Sequence, residues 1–266
     1  MDDALLGQLA ELAKAFNKIG IKPVICGGLG VYLCFSKSDS DARSMIRATN
    51  DIDLMLTKEM VLENSRRNAI AEIITGELEY AVREEDRHFR FIKAPNQQLD
   101  ILSQPMENFQ TKEHRVKFVK SKLHGRLTEE AYFIDEDLRT VELEDKIEVH
   151  VPSPTNLLIL KLCAFDDRDN DKETERAQAH AFDIYITATL ANREDYLDGQ
   201  KFLARHRNWQ VIQRVVSIVK DKFGSVDLPG WQRVLEATSF YPNLNAQQKR
   251  DELEKARDLL ELRPLD

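Results

Sequence analysis

Residues 47–56 read RATNDIDLML, and here two aspartates flank one isoleucine at the head of an apolar run. Side chains alternate faces along a strand, so Asp51 and Asp53 project to one side while Ile52, Leu54 and Leu56 project to the other. Two carboxylates side by side repel and raise each other's pKa unless a cation neutralises them, and hard oxygen donors of this kind suit Mg²⁺. Acids at a strand end that merely meet solvent give the same short pattern. The surroundings of the pair must separate the two readings.

Upstream, CGGLG at 26–30 sets Gly27 and Gly28 between a short strand (KPVIC) and a helix. Paired glycines there let backbone N–H groups approach an anion at a helix N-terminus, although ordinary tight turns use them too. No Gly-Lys-Ser/Thr follows, so this is not a Walker loop. Downstream, QQLDILS at 97–103 places Asp100 between two apolar residues of another strand. It reads either as an exposed acid on a polar sheet face or as a third carboxylate facing the first pair. In the latter case two metal ions divide the work of displacement at phosphorus, one orienting the attacking hydroxyl and the other holding the triphosphate. In LLILKLCAF, 157–165, Lys161 interrupts a helix that is apolar nearly all round, where a lysine either snorkels to solvent or meets an anion. Asp183 lies off the stripe of Ala177, Ala181, Ile184, Tyr185 and Ala188 and reads as a solvated acid or one facing the first domain.

The fold class expected is α+β. A helix ending at Gly20, the strand KPVIC, a helix over 58–75 and strands near 78–83, 87–93, 98–103, 115–120, 131–134 and 146–151 give a mixed sheet with flanking helices over residues 1–152. The polar stretch 36–50 reads as a loop. Ser153 with Pro154 is an N-cap followed by the first helical position, and helical periodicity then runs almost to the end, giving an all-helical domain over 153–266.

With 266 residues, 42% hydrophobic content and a net charge of −8, the chain can build a real core and has no overall basic field, so any nucleic-acid contact must come from a local patch. Cys26, Cys34 and Cys163 form no CxxC spacing, and the six histidines show no ligand spacing. The cysteines read as buried thiols of a reducing, cytoplasmic compartment, with no signal-peptide pattern and no membrane span expected.

The glycine pair, RATNDIDL and a later isolated acid together resemble the nucleotidyltransferase superfamily related to DNA polymerase β. PSPTNLLILKLCAFDDR followed by AFDIY is more narrowly similar to the AbiEii-like nucleotidyltransferase toxins of abortive-infection and toxin–antitoxin systems. The resemblance covers roughly residues 20–190. It implies that Gly27 and Gly28 cradle a triphosphate, that Asp51 and Asp53 bind Mg²⁺, and that Asp100 is a third ligand or the base. It further implies that Lys161 contacts phosphate, that Asp183 positions the nucleotide or Lys161, and that Arg47 and Thr49 touch the nucleotide. The spacer from the glycines to D-x-D is longer than the family pattern, and Leu29 stands where a small or hydroxyl residue is common.

The activity expected is therefore Mg²⁺-dependent transfer of a nucleoside monophosphate from an NTP to an acceptor hydroxyl. By resemblance the acceptor is the 3′ end of an RNA such as tRNA, and an antitoxin protein is a partner. RVKFVKSKLHGR, 115–126, with five Lys or Arg among Val and Phe, reads as a phosphate-tracking segment or as a solvated sheet edge. The alternatives are the same chemistry on a small molecule or protein side chain, or a non-catalytic nucleotide-binding module.

Overall fold

The D-x-D stretch forms strand β2 (Asp51–Leu56) within the mixed sheet of an α+β protein. The computed structural model describes residues 3–37, 46–47, 49–82, 89–94, 97–107, 109, 111–112, 114–119, 122–237 and 245–261. The chain divides into two units, residues 1–34 with 48–152 and residues 35–47 with 153–266. Segment 35–47, read from sequence as part of the first domain, thus groups with the helices of the second. Most of the expected 36–50 loop lies outside the described residues.

In the first unit, α1 (Asp3–Lys18) buries Leu5, Leu9, Leu12 and Phe16 at helical spacing, and Gly20 at φ 72° takes the left-handed conformation that ends it. β1 (Val24–Cys26) passes directly into α2 (Gly27–Cys34). Beyond β2 lie α3 (Lys58–Val61) and α4 (Asn64–Glu72), the latter continuing as a π-turn over Ile73–Glu77. The strands that follow are β3 (Ala81–Val82), β4 (Arg90–Ala94), β5 (Gln97–Ser103), β6 (Thr111–Lys112), β7 (Arg115–Val119), β8 (Leu123–Leu127), β9 (Arg139–Glu142) and β10 (Glu148–Val151). Among the described residues the sheet order is β6-β7-β8-β5-β2-β1-β10-β9, with β4 joined to β5 and β3 to β4.

Period-two alternation sorts this sheet into two faces. Ile52, Leu54, Phe91, Leu99 and Ile101 are fully buried on one, toward the layer that includes α1 and α4. The acids occupy the other. Gly125 explains why LHGRL is a poor strand signal and yet a strand: a Cβ there would stand 3.1 Å from Phe118 and 3.4 Å from Ile101, so the apolar layer closes over it.

One expected strand is absent. Residues 131–134 form consecutive tight turns, in which the N–H groups of Ala131, Ile134 and Glu136 donate to carbonyls three residues back. Ala131, Phe133 and Ile134 bury their side chains without a ladder, so tertiary packing overrides the strand propensity of the aromatic run. The expectations at 78–83 and 87–93 are met by short strands where described, and residues 83–88 lie outside the described set.

The second unit opens with α5 (Pro154–Asn170). The Ser153 hydroxyl accepts a hydrogen bond from the Asn156 N–H at 3.3 Å, and Pro154 occupies the first turn. α6 (Thr174–Leu190), α7 (Arg193–His206), α8 (Gln210–Ile218), a π-turn over Val219–Phe223, α9 (Pro229–Glu236) and α10 (Ala246–Glu261) follow. α5 is buried nearly all round, packed on α6, α7 and α8. Its C-terminal acids are tied down by cations: Arg214 bonds Asp166 and Asp167, while Lys222 bonds Asp166 and Asp169.

Candidate metal centre

Register brings the three predicted carboxylates together. β2 and β5 run parallel with Asp53 opposite Asp100, so Asp51, Asp53 and Asp100 share a face. One oxygen from each lies within 4.8 Å of the others. Opposite ligands of one Mg²⁺ stand about 4.2 Å apart, twice its metal–oxygen distance. The observed spread is thus within a few tenths of an ångström of one ion's shell and suits two ions sharing ligands. The donor set, hard oxygen throughout, fits the ion expected.

Gly27 makes room for this cluster. Its φ is 66°, and a Cβ built on it would stand 1.7 Å from Asp53 Oδ2, so a side chain there is strained and displaces that carboxylate. The Asp53 carboxylate therefore lies against the N-terminal turn of α2, where exposed N–H groups and the helix dipole favour negative charge. Gly28 is buried in that same turn. Thr49 is also part of the site: its hydroxyl donates to Asp51 Oδ1 at 2.6 Å, which fixes the carboxylate.

Arg90 was not singled out in the sequence. It donates to Asp100 through Nε at 3.0 Å and Nη2 at 2.9 Å, and the Gln98 amide adds a bond at 3.3 Å. Each carboxylate oxygen has more than one acceptor site, so these bonds still leave Asp100 able to bind a metal. Burial pushes the Asp100 carboxyl above the ordinary range, and the Asp51 charge adds to this, against the opposing pull of Arg90. A β-bulge explains why Arg90 was illegible. Ala94 pairs with Gln97, and regular counting from there would set Phe91 opposite Asp100; a register shift between Ile92 and Ala94 puts Arg90 there instead.

The other predicted residues assemble in the second unit. Lys161 on α5 is 4% exposed and Asp183 on α6 is 1% exposed, so Lys161 does not snorkel and Asp183 is not a solvated acid. Their side chains pair at 2.6 Å. Arg47 completes the cluster with a two-pronged contact, Nε to Oδ1 at 2.8 Å and Nη2 to Oδ2 at 2.9 Å. Burial alone would raise the Asp183 carboxyl, but Lys161 and Arg47 outweigh it and hold it down at about 2. His180, one turn before Asp183, is pushed down to about 3 by burial and the Lys161 charge. Its Nδ1 is sealed from solvent with no hydrogen-bond partner among the described residues.

Among the described residues no helix is long and apolar enough to cross a membrane. Cys26 and Cys163 are buried, Cys34 is half-buried, and none of the three forms a disulfide among the described residues. No protein-family model matches the sequence, and no curated protein matches it.

Proposed function

We propose that the protein is a Mg²⁺-dependent nucleotidyltransferase, moving a nucleoside monophosphate from an NTP to an acceptor hydroxyl. The observation that carries this reading is the clustering of Asp51, Asp53 and Asp100 within 4.8 Å against a glycine whose missing Cβ admits the Asp53 carboxylate. Mg²⁺ bound there would neutralise charge on the phosphoryl oxygens and lower the pKa of the acceptor hydroxyl. Asp51 and Asp53 would hold the ions. Asp100, fixed by Arg90, presents the third ligand oxygen. The acceptor oxygen bonds to the α-phosphorus, the bond from that phosphorus to the α–β bridging oxygen breaks, pyrophosphate departs, and the hydroxyl proton passes to solvent or a carboxylate.

By resemblance, Lys161 and Arg47 in the second unit contact the nucleotide. Asp183 serves as the positioning residue for both cations. The resemblance adds an RNA 3′ end as acceptor, a toxin–antitoxin context and a cytoplasmic setting. The test is incubation of the purified protein with α-labelled NTP, Mg²⁺ and total RNA. Metal-dependent label on RNA 3′ ends that disappears in Asp51→Ala and Asp53→Ala supports the proposal; labelling indistinguishable from wild type in both variants overturns it.

A further inference from the structure

The acid-bearing face of the sheet continues past the carboxylates into a row of cations. Leu102, two residues beyond Asp100 on the same face of β5, is the partner of Arg126 on β8. Arg126 in turn sits directly opposite Arg115 on β7, and Lys117 is the next residue of β7 on that face. Arg126 therefore lies roughly 8 Å from Asp100, combining one alternate-residue step along the strand with one strand spacing.

The row departs from the charge pattern of its surroundings. Lys18, Lys22, Lys93 and Lys122 each pair with a glutamate. Among the described residues, no carboxylate pairs with Arg115, Lys117 or Arg126. Two like charges directly opposite in an antiparallel ladder destabilise it, so Arg115 and Arg126 retain a local cost that an anion would relieve. Phe89 adds an aromatic surface, with the Arg126 guanidinium 6.0 Å from its ring centroid. Cations spaced along a path beside an aromatic ring are the means by which single strands are held without reading sequence.

We infer that Arg126, Arg115 and Lys117 hold the backbone phosphates of a single-stranded polynucleotide whose 3′ hydroxyl reaches Asp51, Asp53 and Asp100. The inference rests on the nucleotidyl-transfer reading of those three acids and adds which residues bind the acceptor. A compact triphosphate satisfies one cluster of charge at the metals, whereas this row extends outward across two strands and matches an anion with distributed charge. A small-molecule acceptor makes no use of it.

Binding of a labelled single-stranded oligonucleotide with a free 3′ hydroxyl, followed by fluorescence anisotropy over a salt series, tests this on the full chain. Each phosphate contact to a single strand contributes about 0.7 to the slope of log K against log salt. Replacing Arg115, Lys117 and Arg126 together with Gln is expected to reduce that slope by about 2, while MgATP binding measured by calorimetry stays unchanged. Charge-preserving Arg115→Lys with Arg126→Lys is expected to keep the wild-type slope, which separates lost phosphate contacts from lost folding. RNA and DNA of one sequence are run in parallel, and the tighter of the two names the acceptor. Wild-type slope and affinity in the Gln variant overturn the inference alone. Failure of the wild-type protein to bind MgATP overturns the transfer reading beneath it, and the inference with it.

Discussion

The two charged centres solve opposite problems. On the sheet of the first unit, three carboxylates crowd within 4.8 Å and the guanidinium of Arg90 answers one of them. Inside the helices of the second, Asp183 is answered twice, by Lys161 and Arg47, and none of the three is more than a quarter exposed. In the first centre the close carboxylates repel one another, so on the proposed reading losing one acid relieves the fold and costs function. The second is a buried ion cluster whose members depend on each other, so losing Asp183 costs the fold.

The largest effect expected is on catalysis. Asp51→Asn or Asp53→Asn should lower label transfer on the order of 10³-fold, about 4 kcal/mol of barrier, with a melting temperature equal to or above wild type. A destabilised Asp51→Asn would mean that the acids support the fold. Asp183→Asn inverts the pattern: stripping the anion from Lys161 and Arg47 should cost about 3 kcal/mol in denaturant unfolding of the second unit. An unchanged midpoint would show that the buried pair contributes nothing.

Gly27→Ala touches the first centre through sterics. A Cβ 1.7 Å from Asp53 Oδ2, at φ 66°, forces the carboxylate aside, and about 2 kcal/mol of stability and most Mg²⁺ affinity should go with it. Calorimetric titration with Mg²⁺ reads this directly.

Acid pH sharpens the contrast from the other side. His180 has its pKa lowered from 6.5 to about 3, so the unfolded chain takes up its proton first as pH falls. Its stabilising contribution is complete above pH 6.5 and is lost between there and about 3, at up to about 1.4 kcal/mol per pH unit. Asp183, lowered from 3.8 to about 2, contributes stability that is complete above 3.8 and lost as pH falls toward 2. Unfolding midpoints of wild type and His180→Gln measured from pH 7 to 4.5 should converge on acidification; parallel curves would exclude His180 as the cause. The smallest effect is at Thr49, where Val removes the 2.6 Å hydroxyl bond to Asp51 and should lower transfer about tenfold.

The alternation in DIDLML was enough to place Asp51 and Asp53 on one face, because side-chain direction in a strand is a local property. The Ser153–Pro154 start of α5 was legible for the same reason, since a cap depends on adjacent residues. The oddity of Lys161 in an apolar helix was also visible, but its resolution was not: burial or snorkelling depends on what another helix presents. The aromatic run at 131–134 misled because its side chains are buried by turns instead of by a ladder.

Sequence alone determined that the chain has acids patterned for a cation, a glycine pair before a helix, and a change from mixed elements to helices near residue 152. Tertiary structure decided what those features meet. Parallel pairing of β2 with β5 chose Asp100 as the third carboxylate, and one bulge chose Arg90 over Phe91 as its neighbour. The meeting of Arg47, Lys161 and Asp183 joins positions 136 residues apart. Such contacts depend on register and on packing between distant segments, where a shift of one residue turns a side chain to the opposite face. No local pattern records that choice.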